Sequence, residues 1–280
     1  MRLATIRENG TTRAVRVDDN EYVMLPAPDV GALLALGNWW DVAAQAAGDH
    51  GSFEDVDIAP VVLRPGKIVG VGLNYGDHIR EMGRDLPEHP TLFAKFADSL
   101  IGARDPLELP AESDQVDWEA ELALVIGRRV HSAGEEAAAA AIAGFAVIND
   151  VTMRDWQYRS SQWLQGKTFE RTAPFGPVLV TPDELPGTVW PDLTIRAEVN
   201  GEVVQRASTR DLVFHPVALV RYVSTIVTLL PGDVIATGTP GGVGHARTPR
   251  RYLRDGDTLT TEIADLGRCE NPVTSRTNAA

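Results

Sequence analysis

Two acidic side chains lie two residues apart at the start of the apolar segment 117–126. Because alternate side chains of a strand share one face, Glu119 and Glu121 are expected to project together. Two carboxylates held side by side next to an apolar run repel each other, and a divalent cation is the usual way to offset that repulsion. The alternative interpretation is a solvated strand edge with alternating polar residues.

A third carboxylate, Asp150, closes the apolar segment 146–150, so it is expected to emerge at the rim of a buried strand. An Asp in that position is also typical of an ordinary turn. Together with Glu119 and Glu121, and with no Cys or His cluster beside them, it would form an all-oxygen site. Such a site suits Mg²⁺ or Mn²⁺, with Ca²⁺ also compatible, rather than Zn²⁺.

A candidate general base lies in the segment 72–83, which begins in turn residues and is expected to end in one or two helical turns. His78 and Glu81 are three residues apart, which places them on one face of such a helix. A carboxylate that accepts from one imidazole nitrogen leaves the other nitrogen free to act as a base. A structural surface pair is the alternative interpretation.

Two further segments offer groups that could stabilise negative charge. Lys167 has a Gly-flanked, apolar neighbourhood and could stabilise an oxyanion or an enolate. The glycine-containing loop 238–244 would let backbone amides approach a ligand, with the Thr239 hydroxyl as a donor, although plain turns have the same composition. Neither the Gly-Lys-Thr at 166–168 nor the glycines at 70–76 have the spacing of a nucleotide-binding loop.

The elements that must position these residues are mostly short strands. Strands are expected at 2–7, 12–17 and 21–25, then at 67–72, 118–126, 145–150 and 193–199, with hairpin turns at Asn9-Gly10 and Asn200-Gly201. The clearest helix is expected over 216–229. Strands outnumber helices without alternating with them, which favours an α+β fold with a small N-terminal α+β domain over 1–60 and a catalytic domain over 64–280.

The amino-acid composition limits the classes of binding partner and the cellular compartment that we expect. The 280 residues include 26 basic and 39 acidic side chains, a net charge of −13, so no basic surface is expected to hold nucleic acid or an anionic membrane. Cys269 is the single cysteine and has no internal disulfide partner. The absence of an apolar N-terminal stretch and of a run long enough to span a bilayer completes the expectation of a cytoplasmic protein.

Taken in order, these segments resemble the fumarylacetoacetate hydrolase superfamily over residues 64–273. The resemblance implies a large mixed β-sheet roll with few helices, and members of the family are commonly homodimers. The motifs that carry it are Asn74-Tyr75 with Asp77-His78 and Glu81, Asp117-Trp118-Glu119-Ala120-Glu121, Asn149-Asp150 with Arg154-Asp155-Trp156-Gln157, Gly166-Lys167-Thr168-Phe169 and Thr237-Gly238-Thr239-Pro240.

The same resemblance implies roles for single residues. Glu119, Glu121 and Asp150 match the family's metal ligands, and Lys167 matches its catalytic lysine. The residues that match a catalytic dyad on a lid-like segment are His78 and Glu81. The residues that match contacts to the oxo-acid end of the substrate are Arg154, Gln157 and Thr239.

Several activities are consistent with this set of residues. The first hypothesis is metal-dependent hydrolysis of a C–C bond in a small 2-oxo acid or 1,3-diketone, such as an acylpyruvate or fumarylpyruvate, in aromatic catabolism. The second is decarboxylation or tautomerisation of an oxaloacetate-like acid, or isomerisation of a hydroxydienedioate. A catalytically idle metabolite-binding protein is the third. A phosphoryl-transfer enzyme is disfavoured because no basic phosphate clamp accompanies the carboxylates.

Overall fold

The computed structural model of the chain describes residues 1–54, 56–76, 79 and 85–276. The strands are β1 Arg2–Glu8, β2 Thr11–Asp18, β3 Glu21–Met24, β4 His50–Ser52, β5 Asp57–Ile58, β6 Ile68–Gly72, β7 Thr91–Lys95, β8 Leu100–Ile101, β9 Leu107–Leu109, β10 Val116–Asp117, β11 Ala120–Ile126, β12 Ile142–Asn149, β13 Thr152–Met153, β14 Ala173–Val180, β15 Thr194–Val199, β16 Glu202–Ser208, β17 Val234–Ala236, β18 Thr258–Ile263 and β19 Gly267–Ser275. The helices are α1 Val30–Leu34, α2 Trp39–Ala44, α3 Glu135–Ala140, α4 Arg154–Gln157, α5 Leu164–Lys167 and α6 Pro216–Ile226.

The strands form two main sheets, which confirms the predicted α+β class. A 12-stranded mixed sheet runs in the order β4-β3-β2-β1-β14-β12-β11-β17-β6-β7, with β5 paired to β1 and β8 paired to β14. A 5-stranded sheet has the order β16-β15-β18-β19-β9, and β10 pairs with β13. The large sheet is mixed because β17 runs parallel to β6 but antiparallel to β11.

The central strand β11 is buried on both faces, which explains its continuous apolar sequence. Leu122 and Leu124 join the core cluster that also contains Ile195 and Leu259 of the smaller sheet. The alternate residue Ala123 joins a second cluster together with residues of α1. Because side chains on a strand alternate, Glu119 and Glu121 lie on the same side as Ala123.

The N-terminal strands continue the large sheet. Strand β1 pairs with β14 through Arg2↔Val180 and Leu3↔Leu179, so the first hairpin adds directly to the edge of β14. The proposed domain boundary at 60–64 falls between β5 and β6, and the division stays a prediction.

Local turn chemistry agrees with the predicted hairpins. Asn9 and Gly10 both have positive φ, at 50° and 74°, as do Asn200 and Gly201, at 54° and 79°. These are the angles of two-residue turns that match the twist of a hairpin. The predicted helix over 216–229 begins at Pro216 but ends at Ile226, because the next residue is already extended. Within the described ranges, no helix has the length and apolar character needed to cross a membrane.

Candidate metal centre and substrate pocket

The pairing of β11 with β12 brings the three predicted carboxylates together. Ala120 is the register partner of Asn149, and the backbone N–H of Asp150 donates to the carbonyl of Glu119 at 2.8 Å. Glu121 projects on the same side, and one carboxylate oxygen from each of the three residues lies within 4.8 Å of the others. The exposed fractions are 5% for Glu119, 1% for Glu121 and 0% for Asp150.

The residues fit a divalent cation. Glu121 accepts a hydrogen bond from the backbone N–H of Gly238 at 2.9 Å, but in the part of the chain that the structure describes no basic group forms an ion pair with it. Burial, and then the neighbouring Asp150 and Glu119, raise the pKa of Glu121 well above its usual range. A hard cation, which prefers oxygen ligands, would supply the positive charge that stabilises the ionised form of this buried carboxylate.

Lys167 lies beside two of the carboxylates. It is the last residue of α5, and its Nζ lies 2.6 Å from Oε2 of Glu119 and 2.7 Å from Oδ2 of Asp150. Burial disfavours the ammonium, but Asp150 and Glu119 outweigh burial and raise the pKa of Lys167. The lysine therefore carries its charge at the floor of the site.

A second lysine, Lys95 at the end of β7, was not among the predicted site residues. Its Nζ lies 3.0 Å from Oδ1 of Asp150 and also donates to the backbone carbonyl of Lys167. Burial alone would raise the pKa of Asp150, but Lys167 and Lys95 together lower it. A signal existed in the sequence, because a lysine at the end of the otherwise uncharged strand β7 needs an acidic partner when it is buried.

Arg154 on α4 is held in place by acidic neighbours. Its Nε lies 2.8 Å from Oδ2 of Asp117, and its Nη1 lies 2.7 Å from Oε1 of Glu119 and 3.0 Å from Oε1 of Gln157. These contacts bring the predicted substrate residues Arg154 and Gln157 next to the carboxylate cluster. They also show that the guanidinium already has protein partners on two sides.

Asp117 connects the cluster to the glycine loop. Its carboxylate accepts from the backbone N–H groups of Trp118, Gly244 and His245 at 2.9, 2.7 and 3.0 Å, in addition to its ion pair with Arg154. Asp117 belongs to a motif of the sequence, but the motif predicted no role for it. The residues that it joins lie far apart in the chain, so spacing alone could not reveal this connection.

The loop after β17 carries Thr239, whose hydroxyl is engaged within the protein. The hydroxyl donates to the carbonyl of Ala120 at 2.9 Å and accepts from Nε2 of Gln205 at 2.8 Å. The preceding Gly238 has φ of +102°, and a Cβ there would lie 2.8 Å from Cβ of Asn74. A glycine is therefore needed where this backbone passes the carboxylates.

A small pocket opens onto this cluster. Its polar lining is formed by Glu119, Glu121, Arg154, Gln157, Lys167 and Thr239. The remaining wall is largely apolar or aromatic and consists of Val71, Gly72, Leu73, Phe93, Tyr158, Trp163, Val243 and His245. The predicted dyad residues His78 and Glu81 lie outside the described residues.

The fold and this site together define a class of protein. The site combines three buried carboxylates that could hold a divalent cation, an ammonium in contact with two of them, and a small pocket above. This combination is typical of an enzyme for small, oxygen-rich molecules. The fumarylacetoacetate (FAA) hydrolase C-terminal family model matches residues 67–274, and the chain belongs to the fumarylacetoacetate hydrolase family. The match confirms the resemblance inferred from the sequence motifs.

Several curated relatives are named oxaloacetate tautomerases. The chain is 44% identical over 224 residues to the mitochondrial oxaloacetate tautomerase fahd2 of Xenopus laevis, and the match covers 79% of this chain and 70% of that protein. It is 47% identical over 218 residues to the mitochondrial oxaloacetate tautomerase FAHD2A of Homo sapiens, covering 77% of this chain and 68% of that protein.

Solved structures show the same fold over nearly the whole chain. A fumarylacetoacetate hydrolase from Exiguobacterium antarcticum superposes with a TM-score of 0.89 at 33% identity, covering 99% of this chain and 100% of that one. A 5-carboxymethyl-2-hydroxymuconate delta-isomerase from Mycobacterium smegmatis superposes with a TM-score of 0.79 at 34% identity, with the same coverage.

Proposed function

We propose that this protein is a divalent-metal-dependent tautomerase of a small 2-oxo acid of the oxaloacetate type. The observation that carries the proposal is the buried cluster of Glu119, Glu121 and Asp150 in contact with the Lys167 ammonium at the floor of a small pocket. The relatives named oxaloacetate tautomerases favour this activity over the C–C bond hydrolysis that was the first hypothesis from the sequence.

The three carboxylates are the groups that would hold the cation, with Mg²⁺ or Mn²⁺ preferred for their oxygen ligands. A bound cation would supply Lewis-acid polarisation of a 2-oxo carboxylate. The remaining contributions come from the chain itself. Lys167 presents a fixed positive charge where an enolate oxygen would develop, and burial in a site of low dielectric strengthens that interaction.

Other residues orient the substrate in this proposal. Gln157 and Arg154 line the pocket next to Glu119, where they can contact the carboxylate end of an oxo acid. Thr239 lines the same region, although its hydroxyl already has two protein partners. His78 and Glu81 stay our prediction for a proton-transferring pair, as the family resemblance implies.

Hydrolysis of an acylpyruvate-like compound is the second candidate. The structural similarity to the Exiguobacterium fumarylacetoacetate hydrolase favours it, because that protein shares the fold across the full length. Both reactions pass through an enolate, so the same positive charges serve either one. Hydrolysis differs in needing an activated water and in releasing two products.

The experiment that decides between the two reactions measures the loss of enol-oxaloacetate and the release of pyruvate separately. Enol-oxaloacetate is mixed with the protein in Mg²⁺, in Mn²⁺ or in EDTA, and loss of the enol absorbance is compared with the spontaneous rate. Release of pyruvate from oxaloacetate and from a panel of acylpyruvates is measured in parallel. We expect metal-dependent acceleration of ketonisation without release of a second acid.

A matched pair of variants makes the result specific to the site. Glu119→Gln removes one carboxylate of the cluster, whereas Glu112→Gln makes the same change at an exposed position. The first variant should lose activity and the second should keep it. Pyruvate and a second acid from an acylpyruvate, without any effect on the oxaloacetate enol, would replace tautomerisation by the second candidate.

A further inference from the structure

A histidine outside the predicted site lines the same pocket. His245 lies in the short helical turn Gly244–Ala246 that follows the glycine loop, and its side chain is half-buried. It borders the pocket that contains Glu119, Glu121 and Lys167. Its backbone N–H is anchored on Asp117, which fixes the start of the side chain relative to the carboxylate cluster.

The ring of His245 is held by a short chain of hydrogen bonds. Nδ1 lies 2.9 Å from the hydroxyl of Tyr252, and that hydroxyl donates to Oε1 of Gln115 at 3.3 Å. In the arrangement that uses the hydroxyl proton in the bond to Gln115, the hydroxyl can only accept from His245, and Nδ1 then carries the proton. Tyr158 packs beside the ring with a centroid distance of 5.4 Å.

The opposite ring nitrogen is free for a ligand. Among the described residues, Nε2 of His245 has no hydrogen-bond partner, and this atom is not fully buried. With the proton on Nδ1, Nε2 carries a lone pair. Because His245 lines the pocket, this lone pair is available as a proton acceptor there.

Burial and the nearby arginines lower the pKa of His245 and so favour its neutral form. Burial lowers the pKa of His245 below its ordinary value, and the nearby Arg154 and Arg250 lower it further, while Asp117 acts in the opposite direction. Tyr252, the partner of Nδ1, has a pKa raised by its own burial and therefore stays protonated. A neutral imidazole at neutral pH is the form that can take up a proton.

We infer that His245 is an acid–base residue of this pocket, with Nε2 removing and returning the proton on the carbon next to the ketone of the bound oxo acid. The inference rests on the proposed tautomerase function and adds a catalytic residue to it. Tyr252 is a positioning residue, because it holds Nδ1–H and so fixes the tautomer with Nε2 free.

The proton and electrons balance within the pocket. Nε2 takes the proton from the carbon, and the electron pair of the broken C–H bond forms the C=C bond of the enolate. The former C=O π pair becomes a lone pair on the enolate oxygen. That oxygen then takes a proton from water to give the enol, and the imidazolium transfers its proton to the hydroxide that remains, which restores water and the neutral ring.

The kinetic test compares three variants in the Mg²⁺-loaded enzyme with oxaloacetate. His245→Gln keeps a polar side chain but cannot accept a proton, and it should lower kcat about 100-fold or more with KM changed less than about threefold. Tyr252→Phe should lose less activity. His131→Gln changes an exposed histidine outside the pocket lining and should match the wild type.

The pH profile separates proton transfer from a structural effect. Wild-type kcat/KM should fall with unit slope as the pH drops through the pKa of His245, below its ordinary value of 6.5. His245→Gln should lose this dependence, and Tyr252→Phe should keep it. A profile in His245→Gln that matches the wild type would exclude His245 as the base.

A second measurement reads the tautomer of His245 directly in the wild-type protein. The ¹⁵N resonances of His245, assigned by their absence in His245→Gln or by selective labelling, should show an unprotonated Nε2 and a protonated Nδ1. Addition of oxalate, an unreactive dicarboxylate with Mg²⁺ present, should shift the Nε2 resonance. A protonated Nε2 at neutral pH would overturn the assignment.

The two proposals fail in different ways. If His245→Gln stays within about threefold of the wild type while Glu119→Gln is inactive, the tautomerase function stands and the role of His245 is wrong. If the wild-type protein neither accelerates ketonisation nor exchanges the carbon-bound proton with deuterium oxide, the proposed function fails, and the role of His245 fails with it.

Discussion

The backbone N–H of Asp150 donates to the carbonyl of Glu119 at 2.8 Å, just beyond the paired ends of β11 and β12. This single contact sets two carboxylates from distant parts of the chain side by side, with Glu121 next to them on the same face. A slip of one residue in this register would turn the side chains of one strand to the opposite face. The cluster therefore depends on correct strand pairing.

Glu121→Gln should separate the stability of the metal-free protein from metal binding. The variant removes a buried carboxyl group whose ionisation is opposed by burial and by two neighbouring carboxylates, and its amide oxygen can still accept from Gly238. We expect the free energy of unfolding in EDTA to rise by on the order of 1 kcal/mol. Urea denaturation in EDTA measures this change.

The same variant should not respond to Mg²⁺. At a concentration about 100 times its Kd, a cation that binds only the folded state should stabilise the wild type by about 2.7 kcal/mol. Glu121→Gln should show none of this increase, whereas Glu112→Gln at an exposed position should show all of it. Equal stabilisation of all three proteins would place the cation elsewhere.

Lys167→Met should have the opposite effect in the absence of metal. The ammonium contacts Glu119 and Asp150 at 2.6 and 2.7 Å, and its removal leaves buried negative charge without this partner. We expect the metal-free protein to lose about 3 kcal/mol of stability. Because Mg²⁺ restores positive charge at the same carboxylates, it should stabilise Lys167→Met more than the wild type.

Lys67→Met is the matched control for this prediction. Lys67 also pairs with a buried aspartate, Asp233, at 2.7 Å, but neither residue lines the pocket. The variant should lose stability without any change in the response to Mg²⁺. A similar metal response in both lysine variants would show that Lys167 and the cation do not act on the same carboxylates.

The fold class and the placement of Glu119 beside Glu121 were predictable because both follow from short-range patterns. Alternation along the predicted strand 118–126 placed Glu119 and Glu121 on one face, and the residue pair Asn9-Gly10 marked a hairpin. Family resemblance supplied the link to Asp150 and Lys167. These inferences needed only neighbouring residues or a known order of motifs.

The connections between distant segments could not be predicted in the same way. Lys95 of β7 lies 3.0 Å from Asp150, and Asp117 of β10 accepts from the backbone N–H of His245, although each pair is far apart in the chain. The burial of these side chains and their contact partners are set by the tertiary fold, and the spacing of residues along the chain does not reveal them. The role proposed for His245 depends on the same long-range geometry.

Gly238→Ala should weaken both the fold and the metal site. Gly238 has φ of +102°, and an added Cβ would lie 2.9 Å from the carbonyl oxygen of Val71 as well as close to Asn74. We expect a loss of about 2 kcal/mol in stability and a displaced N–H donor to Glu121. Urea denaturation and calorimetric Mg²⁺ titration measure the two effects.

Gly201→Ala distinguishes the backbone strain from the steric clash. Gly201 also has positive φ, at +79°, but a Cβ there would meet no atom within 4 Å. The variant should lose about 1 kcal/mol through strain alone and keep its Mg²⁺ affinity. Equal losses of metal affinity in both glycine variants would mean that the contact from Gly238 to Glu121 does not matter for binding.

The N-terminus of α6 should make stability depend on pH through His215. Its Nδ1 accepts from the backbone N–H of Ala218 at 3.4 Å, so the ring caps the helix only when Nδ1 is unprotonated. Burial lowers the pKa of His215 below 6.5, Arg221 lowers it further, and Glu135 acts in the opposite direction. The unfolded chain therefore binds this proton more readily than the folded protein does.

The cap formed by His215 therefore stabilises the protein less at acidic pH. The contribution of His215 is fully present above pH 6.5 and is lost as the pH falls through the lower pKa of the folded state. His215→Asn keeps a capping oxygen that does not titrate, so it should be more stable than the wild type at about pH 5 by about 1 kcal/mol and similar at about pH 7.5. Urea denaturation of both proteins at the two pH values measures the effect, and a constant difference in stability would show that the cap does not titrate.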